Sequence, residues 1–140
     1  MFSLARALAC CAFAIALLAA GGALAHSYKQ KTLEIVHPWC FETTDKTVGV
    51  YMVIRGLNKR GDRLVAATTS IGTAELREAA SSEESRTAKA LDIKGKGDLT
   101  LKSGGPHILV SGLTKPLAEY DSFLLTLTFA RAGKIEVEVT

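Results

Sequence analysis

Short runs in which apolar and polar side chains alternate follow one another from residue 33 to residue 139. Because successive side chains of a strand point to opposite faces of a sheet, this period of two predicts β-strands. The strongest run is residues 123–129, and residues 47–55 carry apolar groups on both faces, which is typical of a central strand. Shorter strands are predicted at residues 33–38, 63–70, 73–76, 90–93, 99–101, 107–110 and 135–139.

Turns rich in glycine separate these runs, and no stretch has the apolar stripe of an amphipathic helix. Residues 77–89 are mostly Glu, Ala, Ser and Arg without a large apolar side chain, so we expect an exposed loop there. Residues 26–31 are polar and predict a loose lead-in. Regularly spaced short strands without a helix predict an all-β sandwich or barrel that forms a single domain.

The first 25 residues have the organisation of a cleavable secretory signal peptide. Arg6 supplies a positive charge ahead of an uncharged apolar run, and small residues lead up to Ala25. Cys10 and Cys11 lie inside the apolar run instead of after it, which argues against a lipid-attachment site. We therefore expect cleavage after Ala25, a mature domain of residues 26–140, no membrane span after cleavage and a periplasmic or secreted location.

Charge and cysteine content narrow the possible functions. The chain has 17 Lys and Arg against 14 Asp and Glu, and these charges are scattered along the sequence without a basic block. This distribution does not suggest nucleic-acid binding. Only Cys40 lies beyond the leader, so stability must come from the apolar core instead of a disulfide. We interpret Cys40 as a partly buried apolar residue, with a soft metal ligand or an intermolecular thiol as the alternative.

Residues 99–113 contain the position of clearest chemical interest. They are predicted to form two strands joined by the turn 103–106, and His107 stands at the start of the second strand. The chain has no motif of a serine hydrolase, a zinc protease, a P-loop protein or a dinucleotide-binding protein. The three histidines and Cys40 are therefore the candidate metal ligands, because imidazole and thiolate suit borderline and soft ions. Met52 lies within a predicted strand and is interpreted as a core residue.

The order of these features resembles the PCu(A)C family of periplasmic copper chaperones. The matching pieces run through nearly the whole mature chain and lie at residues 25–28, 33–35, 37–39, 51–55, 62–65, 99–101, 104–107, 112–113, 125–129 and 136–139. The resemblance implies a cupredoxin-like β-sandwich of the Greek-key type, which agrees with the strand pattern. It also implies copper as the cofactor and a copper-receiving partner, such as a cytochrome oxidase assembly factor or subunit.

The family's metal site is only partly matched in this sequence. The family pattern has a His near the end of one strand, Met residues in the next loop and a His-x-Met on a later strand. The later His corresponds to His107, but Leu109 stands where the Met belongs, and the earlier His falls at Arg77. A guanidinium is permanently charged and offers no lone pair to a metal. The resemblance therefore implies a weakened copper site that retains His107.

His26 provides a second candidate ligand. If cleavage follows Ala25, the new α-amine and the imidazole of His26 could chelate Cu(II) together. Either His107 or His37 would then be the further imidazole, and the sequence leaves this choice open. The alternative is a loose terminus that binds copper weakly, with His37 in a structural role before Pro38.

Two functions follow from the sequence. The first is an exported copper-chaperone-like protein that binds or delivers copper in the periplasm through a weakened site containing His107 and His26. The alternative is a metal-free β-sandwich that has lost the site and interacts through its surface, for example through the charged residues 77–89. We do not expect an enzyme, because no nucleophile–base or acid–base arrangement is visible.

Overall fold

In the computed structural model, which describes residues 27–79 and 86–140, the protein consists of ten β-strands joined by turns. The strands are β1 Ser27–Lys29, β2 Leu33–Cys40, β3 Thr47–Gly56, β4 Asp62–Thr68, β5 Thr73–Arg77, β6 Leu91–Ile93, β7 Asp98–Leu101, β8 His107–Ser111, β9 Phe123–Phe129 and β10 Gly133–Val139. The described ranges contain no helix, and so none that could span a membrane. The predicted signal peptide and His26 lie outside the described residues.

The strands form two antiparallel sheets. The larger sheet has the order β1-β2-β3-β8-β5, with β7 also paired to β3, and the smaller has the order β10-β9-β4-β6. Strand β3 pairs with β2 along one edge and with β7 and β8 along the other, so it is the central strand that its two-sided apolar pattern predicts. The prediction of an all-β sandwich is confirmed.

The core lies between the inner faces of the two sheets. Every second residue of β3 is buried there, and β8, β9 and β10 contribute in the same alternating way. The side chains with the least exposure include Ile35, Val50, Ile54, Leu64, Ile108, Val110, Leu125, Leu127, Val137 and Val139. Met52 is 2% exposed within this cluster, which confirms its interpretation as a core residue.

A bulge in β2 changes which face its last residues occupy. Val36 pairs with Val53 and Trp39 pairs with Tyr51, so two residues of β2 lie opposite Met52 alone. The bulge contains His37, whose φ of 51° lies in the left-handed region. Strict alternation would turn Trp39 inward, but the extra residue turns it outward beside Tyr51. Trp39 is consequently half-buried on the outer face of the larger sheet.

Two local sequence expectations are wrong. Residues 27–29 form the edge strand β1 instead of a loose lead-in, and the hydroxyl of Tyr28 accepts a 2.7 Å hydrogen bond from the Glu138 amide of β10. Residues 86–88 are also not a free loop. They run beside β5, where the Ala88 amide donates to the Leu76 carbonyl at 2.8 Å and Ala88 is buried. A three-residue strand and an isolated bridge between Arg77 and Thr87 are both too short to show a periodic pattern, which explains both errors.

Asp62 is a buried carboxylate that joins two parts of the smaller sheet. It is 6% exposed, and its oxygens accept hydrogen bonds from the backbone amides of Arg63, Arg131 and Ala132 at 2.8–2.9 Å. These bonds fix the start of β4 against the turn between β9 and β10. A carboxylate that accepts several amide hydrogen bonds balances the cost of its own burial.

We predict that Asp62→Ala lowers the free energy of unfolding by about 3 kcal/mol, because it leaves buried amides without an acceptor. Asp98→Ala is the matched control, since it removes an exposed carboxylate paired with Arg55 at 3.6 Å. The control should change stability by less than about 1 kcal/mol. Urea unfolding measures both, and equal midpoints for the two variants would contradict this role of Asp62.

Candidate metal centre

His107 lies on the outer face of the larger sheet, at the first position of β8. The preceding turn is closed by hydrogen bonds of 3.0 Å from the Gly105 amide to the Lys102 carbonyl and of 2.9 Å from the Lys102 amide to the Pro106 carbonyl. Gly104 has a φ of 77° in this turn, a conformation that glycine adopts without strain. The turn therefore delivers His107 to a fixed place at the edge of the outer face, where its side chain is half-buried.

The hydrogen bonding of His107 determines which ring nitrogen can bind a metal. Its Nδ1 lies 2.9 Å from the Gly105 carbonyl oxygen. A carbonyl oxygen only accepts, so Nδ1 must carry the proton. In the neutral ring the lone pair is then on Nε2. Metal-binding histidines are commonly oriented by this kind of bond from the other ring nitrogen to a carbonyl group.

Arg77 is the direct neighbour of His107 across the sheet. Strands β5 and β8 are antiparallel, and their register pairs Arg77 with His107 and Glu75 with Leu109. Directly opposed residues share one face and have Cβ atoms about 5 Å apart. The four side chains therefore form one patch on the outer face, which we call the 77/107 patch.

The charged members of the 77/107 patch are paired with each other. Nη2 of Arg77 lies 2.9 Å from Oε2 of Glu75, and the Arg77 side chain is 21% exposed. A cation bound near Nε2 of His107 would be repelled by this guanidinium, whose charge Glu75 offsets in part. The patch thus combines one imidazole with a permanent positive charge.

Aromatic residues border the patch on its β3 side. Tyr51 is the nearest, with its ring centroid 6.3 Å from that of His107. Its ring lies over Gly49, where any Cβ would collide with the Tyr51 hydroxyl. Trp39 packs against both Tyr51 and Phe41 at centroid distances of 4.9 Å. These rings form one aromatic cluster on one side of His107.

The sulfur atoms of the described residues lie on the other side of the sheet. Met52 is buried in the core. Cys40 pairs with Val50 and packs against the core, so it belongs to the inner face and cannot join His107. Burial also raises the pKa of the Cys40 thiol, which disfavours the thiolate that soft metals bind. The structure therefore gives His107 no sulfur partner among these residues.

His37 is also separated from His107. It is exposed in the β2 bulge, on the far side of β3 from β8. Within residues 27–79 and 86–140, no group of three or more His, Cys, Asp or Glu side chains is arranged to hold a metal ion. The described part of the chain consequently offers a single imidazole and not a complete site.

Glu75 belongs to the patch and Tyr51 borders it, and the sequence analysis identified neither as a residue of the site. The available signal was spacing, because Glu75 lies two residues from Arg77 and must share its face. Using that signal requires knowing that β5 pairs with β8, which is a contact between distant parts of the chain. Recognising that Tyr51 lies near His107 likewise requires knowing that β3 pairs with β8.

We predict that the neutral ring of His107 is the Nδ1–H tautomer. Two-bond nitrogen–proton NMR spectra of the folded protein with neutral rings report this directly. His37, which is exposed in the bulge, is the internal comparison. A proton found on Nε2 of His107 would contradict the orientation inferred from the Gly105 contact.

Comparison with known proteins identifies a family for this chain. The family model described as "Putative lipoprotein LpqE-like" matches residues 33–140. No curated protein matches the chain.

Solved structures share the fold. The copper-bound PCuAC domain from PmoF2 matches with a TM-score of 0.71 and 21% identity, over 82% of this chain and 96% of that domain. The apo PCuAC domain from PmoF1 matches with a TM-score of 0.73 and 24% identity, over 82% of this chain and 97% of that domain. The solution structure of the Cu(I) form of DR1885 from Deinococcus radiodurans matches with a TM-score of 0.61 and 21% identity, over 74% of this chain and 72% of that chain.

At these identities the likeness establishes the fold, and it confirms the resemblance to PCuAC domains and their cupredoxin-like β-sandwich. The family model covers most of the chain, including every strand from β2 to β10. The chain belongs to the LpqE-like family and has the fold of the PCuAC domains.

Proposed function

We propose that this protein is an exported copper-binding protein of the PCuAC type that binds copper weakly through His107. The observation that carries the proposal is the 2.9 Å contact between Nδ1 and the Gly105 carbonyl, which leaves the Nε2 lone pair available. The imidazole is held on the outer face of a fold shared with a copper-bound domain. Imidazole is a good ligand for both oxidation states of copper.

The composition of the 77/107 patch accounts for the weakness of the proposed site. The family pattern has a second imidazole and thioethers, whereas this patch has Arg77 opposite His107 and Leu109 two residues after it. Neither side chain has a lone pair that binds metal. Copper at His107 must therefore take further ligands from water, from His26 or from a partner protein.

The location and partner follow from the same proposal. Export by the leader 1–25, with cleavage after Ala25, would place the domain in the periplasm or outside the cell and would create the amine of His26. A copper-receiving protein, such as a cytochrome oxidase assembly factor or subunit, would supply the missing ligands during transfer. Because Cys10 and Cys11 precede the end of the apolar run, we favour cleavage without lipid attachment for this chain, although the family's description names a lipoprotein.

A metal-free role is the second candidate, and one observation favours it. The 2.9 Å ion pair between Arg77 and Glu75 occupies the two positions opposite His107 and Leu109. The protein's own charges then satisfy each other where a metal would otherwise lie. In this case the β-sandwich would act as an interaction module. Neither candidate is an enzyme.

Titration of copper into the protein from residue 26 onward tests the proposal. Cu(I) is added in competition with a chelator, and Cu(II) is followed by its visible absorption. We predict that His107→Ala lowers the affinity at least about tenfold, because removing a ligand should cost no less than removing one of its supporting contacts. His37→Ala is the matched control, since it removes an exposed imidazole outside the patch.

The possible results separate the two candidates. If His107→Ala loses copper affinity and His37→Ala keeps the affinity of the wild type, copper binds at the patch. Binding no tighter than that of an unfolded histidine-containing peptide would contradict it and favour the metal-free module. If copper affinity depends on a free N-terminus and not on His107, the copper ligand is His26 instead.

A further inference from the structure

Cationic residues that are far apart in the sequence lie close together at one end of the folded sandwich. Four turns, at residues 30–32, 57–61, 94–97 and 130–133, meet at one end of the sandwich. The Leu57 amide donates to the Thr32 carbonyl at 2.9 Å, and the Lys96 amide donates to the Asn58 carbonyl at 2.8 Å. The Arg131 amide reaches Asp62, at the end of the turn 57–61, at 2.9 Å. These contacts fix the four turns as one surface, which we call the basic pole.

The basic pole has a large excess of cations. Its exposed cationic residues are Lys31, Lys59, Arg60, Arg63, Lys94, Lys96 and Arg131. Three carboxylates lie beside them, and Asp98, which follows the turn 94–97, is paired with Arg55 at 3.6 Å. Asp92 is paired with Arg63 at 2.9 Å, and buried Asp62 is already bonded to three backbone amides. The whole chain has a formal charge of only +3, so the pole carries more positive charge than the protein as a whole.

The pole also has a shape that can receive an anionic group. The cavity at the pole measures about 310 Å³. Arg60, Arg63, Lys94 and Arg131 line it. The cations come from the turns of both sheets, which pack about 10 Å apart. Lys31, Lys59 and Lys96 lie outside the lining of the cavity, so the positive charge of the pole extends beyond it.

The basic pole is distant from the 77/107 patch. Strand β3 ends at the pole with Gly56, whereas Ile108, the neighbour of His107, pairs with Val50. Six residues of extended strand separate these positions, which corresponds to about 20 Å. A surface that contacts the pole would leave the outer face around His107 open.

We propose that the basic pole binds the surface of a bilayer that contains anionic phospholipids. A broad array of exposed Lys and Arg on turns matches a plane of phosphate groups better than it matches one small anion. Each such cation contributes about a fivefold gain in membrane affinity, and the attraction falls off within a Debye length. The pole has no large exposed apolar side chain in the described residues, so this attachment is electrostatic and reversible.

Vesicle sedimentation at low salt tests the proposal with the protein from residue 26 onward, which contains both sheets. The vesicles are phosphatidylcholine alone and an equal mixture of phosphatidylcholine and phosphatidylglycerol. One variant replaces Lys59, Arg60, Lys94 and Lys96 by Gln. The matched control replaces Lys46, Lys89, Lys102 and Lys115 by Gln, which removes the same charge from exposed positions outside the pole.

We expect binding to the anionic vesicles only, with a loss of at least about tenfold in the pole variant and a much smaller loss in the control. Circular dichroism and urea unfolding confirm that both variants fold. Raising the salt should release the wild-type protein, and inorganic phosphate at constant ionic strength should not.

Three results would overturn the proposal. No binding to the anionic vesicles would exclude the bilayer, and an acidic protein would then be the alternative partner. Equal losses in the two variants would show an effect of net charge alone. Full displacement by inorganic phosphate would show a site for a free anion. None of these results depends on copper, so the proposal fails or stands separately from copper binding.

Discussion

The alternation of side chains along β3 and β8 is the constraint on which the rest of the structure depends. Val50 and Ile108 point into the core, so Tyr51 and His107 must point out. A shift of one residue in this pairing would exchange the faces, burying an imidazole and exposing the core. The packing that stabilises the sandwich therefore also fixes the position of His107.

The same constraint limits what the outer face can bind. Because β5 pairs with β8, residue 77 is the position best placed to provide a second ligand beside His107, and here it is an arginine bonded to Glu75. Met52 and Cys40 belong to the inner side, so no sulfur of the described residues compensates. The described part of the outer face therefore presents one imidazole beside a paired arginine.

The sequence predicted the fold well, because long alternating runs such as Phe123–Phe129 identify strands without knowledge of their partners. Features that depend on pairing could not be predicted in this way. The outward position of Trp39 follows from a one-residue bulge, and β1 is recognised only by its contacts with β2. The basic pole is a stronger example, since Lys31 and Arg131 are a hundred positions apart and meet only through the turns.

The central claim is that Arg77 occupies the place of a missing copper ligand beside His107. The most direct test is the Cu(I) affinity of the double variant Arg77→His with Leu109→Met, compared with Leu109→Met alone. Cross-strand imidazoles about 5 Å apart at Cβ can reach a common ion. The account predicts that the double variant binds Cu(I) at least about tenfold more tightly than Leu109→Met alone. A folded double variant with unchanged affinity would contradict it.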